Sequence, residues 1–465
     1  RSGHNDAMAA LRRGEMVAVL FDQDAATRGS AITFMDRIVS ATDLPALMAH
    51  RFGADVYLML PERQGFWRAR LTLTPIPLGE RPVDVTIAAH NALEQYLRRS
   101  QATAADWLWL HNRWNYAYKP HRRFHLPEKR NQLARANHLH GLQALPRKTR
   151  FWVRLPDRLG DLVMAIPVLR AIREGRPDFH FTLLGRSPFA AVVNRFGVAD
   201  HFIELPDRGL GYFMKFYAMR LSYPDTYLIL TDSILGDLEA FFTRCQQRFG
   251  MVRRGRCRPF LTDPYQLPEK KGVARVHQLE AWTAMARHYG LREKIDFRAL
   301  RVARRKRVFL RVGLLCSWRS SSENCWLLEH WQRFIEELGE ATPGVRIVLL
   351  GRADFCSTAE ALAGRVTSAQ VVNRVGQTTL SELCDELDDC GVVCGNDTGS
   401  MHLANALGTP VVAIYGPSVP KQVEPVFEAP KIVLRPGFSP SGNVRVTPEE
   451  TRKAVHSLLQ LAGNR

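Results

Sequence analysis

Apolar positions follow two rhythms along this chain, and their order is the first structural signal. From Phe151 onward, runs rich in Val, Ile, Leu and Phe alternate with stretches in which apolar residues recur at helical spacing. "FWVRLP" reads as a strand, "DRLGD" as a loop and "LVMAIPVLRAIRE" as a helix. Leu162, Ile166, Leu169 and Ile172 share one face of that helix. "FTLLG" is the next strand, and similar units continue to about residue 300. A second set opens at "KRVFLRVGLL". It runs through helix "LLEHWQRFIEELGE", strand "VRIVLLG", helix "TLSELCDELDDC", strand "GVVCGN", helix "GSMHLANALG" and strand "VVAIYG". Strand–helix alternation across short Gly or Pro turns predicts two doubly wound parallel sheets in tandem. A last helix is predicted in "TPEETRKAVHSLLQLAG", where Thr447 and Glu450 have the spacing of a capping box.

The first 118 residues form a separate α/β unit. Strand-like runs ("EMVAVLFDQD", "DVYLMLPE", "FWRARLTLTPI") alternate with helix-like ones ("DLPALMAHRFG", "VTIAAHNALEQYLRRS"), and "ADWLWLHNRWN" closes the unit. Residues 119–150 differ in texture: nine Lys or Arg, four His and one Glu among few large apolar residues. That composition predicts a basic linker or surface arm, at most partly helical, able to lie against anionic headgroups or simply solvated. The expected organisation is therefore 1–118, a linker 119–150, sheet domains 151–300 and 301–435, and a helical tail 436–465.

Bulk composition narrows the function classes. At 465 residues and 46% hydrophobic content the chain can build several cores. Its apolar runs are too short to span a bilayer. It begins at Arg1 rather than Met. The expectation is a missing N-terminal segment, where a signal or membrane anchor would lie. The net charge of +18 predicts an anionic partner: a phosphorylated substrate, a lipid surface or nucleic acid. Nucleic acid has the least support, because no recognition motif accompanies the charge. The eight cysteines are expected as reduced thiols in a cytosolic protein. Cys384, Cys390 and Cys394 lack the tight pairs of a zinc site.

Two stretches carry candidate chemistry. In "VVCGNDTGSMHLANALGTPVVAIYGPS" a strand runs into Asn396, Asp397, Thr398 and Gly399, and a helix opens at about Ser400. Free N–H groups and the positive end of the helix suit a phosphate. Gly399 allows close backbone approach. Asp397 repels a bare phosphate and suits sugar or ribose hydroxyls. The bland alternative is a helix capped by Asp397 or Thr398, with His402 satisfied by packing. In "RLPDRLGDLVMAIPVLRAI", Gly160 permits a tight turn and Asp161 begins a helix. From spacing alone Asp161 is either a general base or a first-turn acid complementing the dipole.

Together the two stretches resemble the heptosyltransferase family, bacterial enzymes that build the lipopolysaccharide inner core from ADP-heptose. "TLLGR", "IVLLGR" and "TTLSELCDELDDC" fall between them in the family's order, and the likeness covers roughly 151–435. It implies a GT-B fold: two Rossmann-like domains facing a cleft, the first for the acceptor and the second for the nucleotide-sugar. It also implies inverting transfer with no metal and no cofactor. Asp161 then corresponds to the base that deprotonates the acceptor hydroxyl. Thr398 and Gly399 correspond to diphosphate contacts and Asp397 to a sugar-hydroxyl contact, with Gly160, Ser400 and His402 in the same pocket. One position departs from the pattern. Where the family has a Lys two residues before a Trp, this chain has Asn324 before Cys325 and Trp326. Asn cannot supply positive charge to a leaving diphosphate, and Arg319 is the nearest substitute.

Residues 1–118 resemble the C-terminal half of the lipid A biosynthesis acyltransferases. The resemblance rests on "RSGHNDAMAALRRGEMVAVLFDQD", "ATDLPALMAHRFGADVYLMLPER" and "WLWLHNRWN". "HRFGAD" fits a His-x-x-x-x-Asp acyltransfer box. However, the family places that box well before the "DQD" segment. His50 and Asp55 are therefore read as surface residues around a helix–Gly turn–strand junction. Arg28 is a candidate contact for an anionic headgroup or carrier phosphate. Both halves imply one lipid substrate, met as a peripheral protein at the cytoplasmic face of the inner membrane. The leading expectation is a lipopolysaccharide sugar transferase fused to acyltransferase-like sequence. The alternative is an acyltransferase whose sugar-transferase part only binds ligand.

Overall fold

The structure is a computed structural model. It describes residues 2–107, 111–115, 119–126, 130–268, 276–300, 308–316, 326, 328–415, 424–435, 437–439, 442–444 and 446–463. The chain divides into two compact units. The first comprises Arg1–Arg150 with Ile172–His180 and Arg287–Glu293; the second comprises the rest.

In the first unit, helix α1 (Ser2–Arg12) precedes a hairpin of β1 (Ser30–Phe34) and β2 (Arg37–Ala41). Helix α2 (Leu44–Phe52) leads to a longer hairpin, β3 (Val56–Gly65) and β4 (Arg68–Ile76). Helix α3 (Pro82–Leu97), short α4 (Gln101–Asp106) and α5 (Leu133–Leu139) follow. Ile32, Phe34, Val39, Leu58, Ile76 and Leu93 belong to one buried cluster. Helix α2 ends at Gly53, which holds φ 61°. The helix–Gly–strand reading of "HRFGAD" therefore holds. His50 Nε2 donates to the Leu78 carbonyl at 2.8 Å, and Asp55 is exposed, so the two form no acyltransfer pair.

Three expectations for this unit change. "MVAVLF" is not a strand: residues 16–21 are assigned to no element, and Met16 and Leu20 are exposed. A β-forming composition makes a strand only when a neighbour completes its ladder. The β1–β2 hairpin, by contrast, was invisible to pattern reading. Its two turn residues, Met35 and Asp36, both hold positive φ without the usual Asn-Gly signature. Met35 N–H is held by the Glu94 carboxylate at 2.7 Å. Finally, residues 119–150 are no free linker. Arg123 and Phe124 are fully buried, and Leu133 and Ala136 are core. Residues 130–132 bridge to Ala31 through backbone hydrogen bonds, and Arg135 forms a two-pronged pair with Asp84. Part of the basic charge is thus spent on internal pairing.

The second unit holds two six-stranded sheets. The first is built from β5 (Thr149–Arg154), α6 (Leu159–Gly175), β6 (Phe179–Gly185), α7 (Phe189–Phe196) and β7 (His201–Glu204). It continues with α8 (Tyr212–Met219), β8 (Thr226–Ile229), α9 (Ile234–Phe242), β9 (Gln247–Val252), β10 (Asp263–Gln266) and α10 (Gln278–His288). Its strand order is β10-β9-β8-β5-β6-β7. The second comprises β11 (Val308–Cys316), α11 (Leu328–Ala341), β12 (Arg346–Gly351), α12 (Cys356–Arg365), β13 (Gln370–Asn373) and α13 (Leu380–Asp389). After it come β14 (Cys390–Asn396), α14 (Gly399–Ala406), β15 (Val411–Ile414) and β16 (Lys431–Leu434), with order β13-β12-β11-β14-β15-β16. Its pairings are parallel. In each sheet the chain starts in the middle, winds one way, then returns and winds the other way. The switch points are β5/β8 and β11/β14, and in such sheets the crevice beyond the strand C-termini there is the binding site.

A small hairpin, β17 (Gly437–Ser439) and β18 (Gly442–Val444), precedes α15 (Pro448–Gly463). The expected helical tail is an integral layer instead. Val446, Val455, Leu458 and Leu459 share a core cluster with Trp331, Phe334 and Ile347. Trp326 Nε1 donates to the Val446 carbonyl at 2.7 Å. The capping box is present: Glu450 N–H meets Thr447 Oγ1 at 3.2 Å and Thr447 N–H meets Glu450 Oε2 at 2.9 Å. Thr447→Ala should therefore cost about 1 kcal/mol. Chemical denaturation measures this, and an unchanged midpoint would mean the cap is solvent-replaceable.

Candidate active site

The two switch points deliver the candidate residues. Strand β5 ends at Arg154, and residues 155–158 lead into α6, placing Gly160 and Asp161 in its first turn. Strand β14 ends at Asn396. Asp397 and Thr398 form the turn, and α14 opens at Gly399 with Ser400 and His402 in its first turns. Helix formation at both places is local. What sequence does not state is that the two helix N-termini meet. A Cβ at Gly399 would stand 2.9 Å from Gly160 N and 2.9 Å from Leu159 Cβ; one at Gly160 would stand 3.1 Å from His402 Cδ2. Gly399 leaves no room for a side chain against the backbone of α6, and a Cβ at Gly160 would press on the His402 ring.

The electrostatics follow from that approach. Two positive helix ends converge on one spot, which favours an anion there. Thr398 is the extended residue before α14, and its side chain makes no capping bond. Thr398 therefore does not cap the helix, and the first N–H groups of α14 have no side-chain acceptor from it. Four buried side-chain atoms at this strand end have no hydrogen-bond partner: both amide atoms of Asn396, Thr398 Oγ1 and His402 Nδ1. Asn396 and His402 are both about 5% exposed. Buried polar atoms are nearly always satisfied, so this cluster makes the strand end a candidate site for a polar ligand or water. His402 Nε2 lies 3.7 Å from Asp397 Oδ1.

Asp161 is half-buried, and burial raises its carboxyl above the ordinary value. Arg158 and His402 oppose that rise, while Asp397 adds to it. A half-buried carboxylate with a raised pKa is a candidate to take a proton from a hydroxyl. His277, just before α10, belongs to the same electrostatic neighbourhood. Desolvation holds its imidazole below the ordinary value, and His402 contributes in the same direction. Sequence reading missed His277, for which no motif gave a signal. It also treated Asn396 only as a turn residue.

The remaining positions separate. Asn324, Cys325 and Arg319 lie outside the described residues, as do Gly416, Pro417 and Ser418 of "YGPS". In the first unit Arg28 is exposed. Cys384, Cys390 and Cys394 are buried and not in disulfides. Among the described residues no cluster of three or more His, Cys, Asp or Glu has the arrangement of a metal centre. No described helix is long and apolar enough to cross a membrane.

Two Rossmann-like sheets in tandem, each with polar residues at its switch point, make up a GT-B fold. Residues 240–451 match the family model described as glycosyltransferase family 9 (heptosyltransferase). The heptosyltransferase matches support a glycosyltransferase enzyme. Residues 1–116 match the family of bacterial lipid A biosynthesis acyltransferases. The chain is 23% identical to lipopolysaccharide heptosyltransferase 2 of Salmonella typhimurium over 363 residues, 66% of this chain and 98% of that one. It is 30% identical to lipooligosaccharide heptosyltransferase 2 of Haemophilus ducreyi over 146 residues, covering 30% of this chain and 40% of the relative. Among solved structures, E. coli ADP-heptose lipopolysaccharide heptosyltransferase II shares the fold, with TM-score 0.58, 21% identity and coverage of 68% and 99%. An E. coli heptosyltransferase solved with ADP gives TM-score 0.54 at 16% identity, covering 66% and 99%.

Proposed function

We propose that this protein transfers a heptose or related sugar from a nucleotide-sugar, ADP-heptose in the first instance, to the lipopolysaccharide inner core, with inversion and without a metal. The observation that carries this reading is the meeting of the α6 and α14 N-termini around Asp161, Asp397 and His402, lined by unpartnered buried polar atoms. In the reaction, Asp161 takes the proton of the acceptor hydroxyl as that oxygen attacks the anomeric carbon. The anomeric C–O bond to the diphosphate breaks, and the nucleoside diphosphate leaves with the bonding pair. The N–H groups of Gly399 and Ser400, with Thr398 Oγ1, receive the diphosphate. Asp397 accepts from a sugar hydroxyl, and His402 lines the same pocket beside it. Gly160, with Gly399, lets the two helices approach closely. The working boundaries are 151–300 for the acceptor domain and 301–435 for the donor domain, extended by the α15 layer.

The test is ADP release from ADP-heptose by the purified full chain, with and without a Kdo–lipid A acceptor. Release that requires the acceptor supports the proposal. Tight ADP binding without release in any acceptor's presence would sink it and favour the second reading, a ligand-binding relic joined to an acyltransferase. That second reading has its own support in the acyltransferase match and in an apolar cavity of about 150 Å³ lined by Val19, Phe21, Met48, Leu58, Ile76 and Val85. A further check uses pH. Protonation of Asp161 stops transfer, so kcat/KM falls on acidification, with its midpoint above the ordinary aspartate range because burial raises the carboxyl. His402→Gln removes a stabilising field and moves that midpoint up; Asp397→Asn removes a repelling charge and moves it down. Midpoints shifting in one common direction would contradict Asp161 as the titrating group.

A further inference from the structure

The first unit carries a surface feature that neither half-reaction explains. Hairpin β3–β4 projects its tip at Phe66 and Trp67, which are 84% and 90% exposed. Their rings pack edge-to-face with centroids 5.0 Å apart, so they form one aromatic wedge. The strands beneath it are two-faced. Leu58, Leu60 and Ile76 point into the core. On the opposite face, Tyr57, Met59, Leu71 and Leu73 are each more than half exposed, and Met59 stands directly opposite Leu73. Strand alternation thus gives an apolar outer face where solvent would favour polar residues. Just behind the wedge stand Arg63, Arg68 and Arg70, all exposed. The acids facing them are Glu62, opposite Arg70, and Asp106, 3.4 Å from Arg63.

We propose that this hairpin is a membrane-interface wedge. Phe66 and Trp67 enter the headgroup–acyl boundary of an anionic bilayer, and Arg63, Arg68 and Arg70 rest against lipid phosphates. The chemistry on the page favours this occupant over a second protein copy. Aromatic side chains with arginines one step behind match an interface that is apolar at depth and anionic at its surface. A self-pairing face would instead set these arginines against one another. The wedge stands independently of the sugar-transfer reading, since it uses residues of the first unit alone.

Sedimentation of the full chain with vesicles tests it. Binding is expected to vesicles of equimolar phosphatidylglycerol and phosphatidylethanolamine, and to weaken with salt. Phe66→Ser/Trp67→Ser should lower the partition coefficient about tenfold or more, and Arg68→Glu/Arg70→Glu comparably at low salt. Brominated acyl chains should quench wild-type tryptophan fluorescence more than that of Trp67→Phe. These side chains are exposed, so an unchanged melting temperature confirms folding. Vesicle binding unaltered by Phe66→Ser/Trp67→Ser overturns the proposal, as does an absence of binding to any vesicle. Loss of a wild-type dimer in that variant, without vesicle binding, overturns it in favour of a second copy.

Discussion

Asp161→Asn should lower kcat for sugar transfer by about 10²–10⁴-fold and leave ADP affinity within about twofold, because in the proposed reaction the changed group acts on the acceptor hydroxyl rather than the diphosphate. The substitution keeps the shape of the side chain and removes its negative charge and its ability to take a proton. Asp161 sits in the first turn of α6, where a negative charge complements the dipole. Asn loses that small benefit, of the order of 0.3–1 kcal/mol. Single-turnover ADP release and calorimetric ADP titration separate the two effects. A kcat within a few-fold of wild type would move the base elsewhere, and His402 would be the next candidate. A collapse of ADP affinity along with kcat would mean that Asp161 organises the whole pocket.

Glu239→Ala should destabilise the second unit by about 3–5 kcal/mol. Glu239 is fully buried on α9 and accepts from Arg154 Nε at 2.6 Å and from the Tyr212 hydroxyl at 2.7 Å. Arg154, also buried, extends a second bond to Asp157 at 3.0 Å. Removing Glu239 leaves a buried guanidinium without its main counter-charge and a buried phenol without an acceptor. Arg154 ends β5 and grips the loop that aims α6, so part of the damage should appear as misplacement of Asp161. Chemical denaturation measures the stability loss. Arg154→Met/Glu239→Leu should recover most of it, since paired apolar replacement of a buried ion pair is often neutral. A loss below about 1 kcal/mol for Glu239→Ala would show that water reaches Arg154.

The transferase half was legible because its signals are short-range. Each parallel strand is buried on both faces, so "RIVLLG" and "CGVVCGN" read as continuous apolar runs. Each helix carries its own apolar stripe and often its own cap, as Thr379 with Glu382 shows at the start of α13. The first unit was less legible. "MVAVLF" has strand composition without a strand. The β1–β2 turn depends on Glu94, 59 residues away. In the basic stretch 119–150, partners such as Asp84, 51 residues from Arg135, turned surface-like charge into structure.

The sequence by itself determined the alternation of strands and helices, the two motif stretches and the residue types that suit phosphate and hydroxyl chemistry. Those properties depend on neighbours within a turn or two, where periodicity and capping act. Only the tertiary structure decided that Gly160 and Gly399, 239 positions apart, touch, and that Asn396, Thr398 and His402 are left with unpartnered polar atoms. It also decided that Arg154 and Glu239 bury a charge pair and that Phe66 and Trp67 stand in solvent. Contact, burial and unmet hydrogen bonds depend on how far-apart segments pack, and no local pattern encodes that packing.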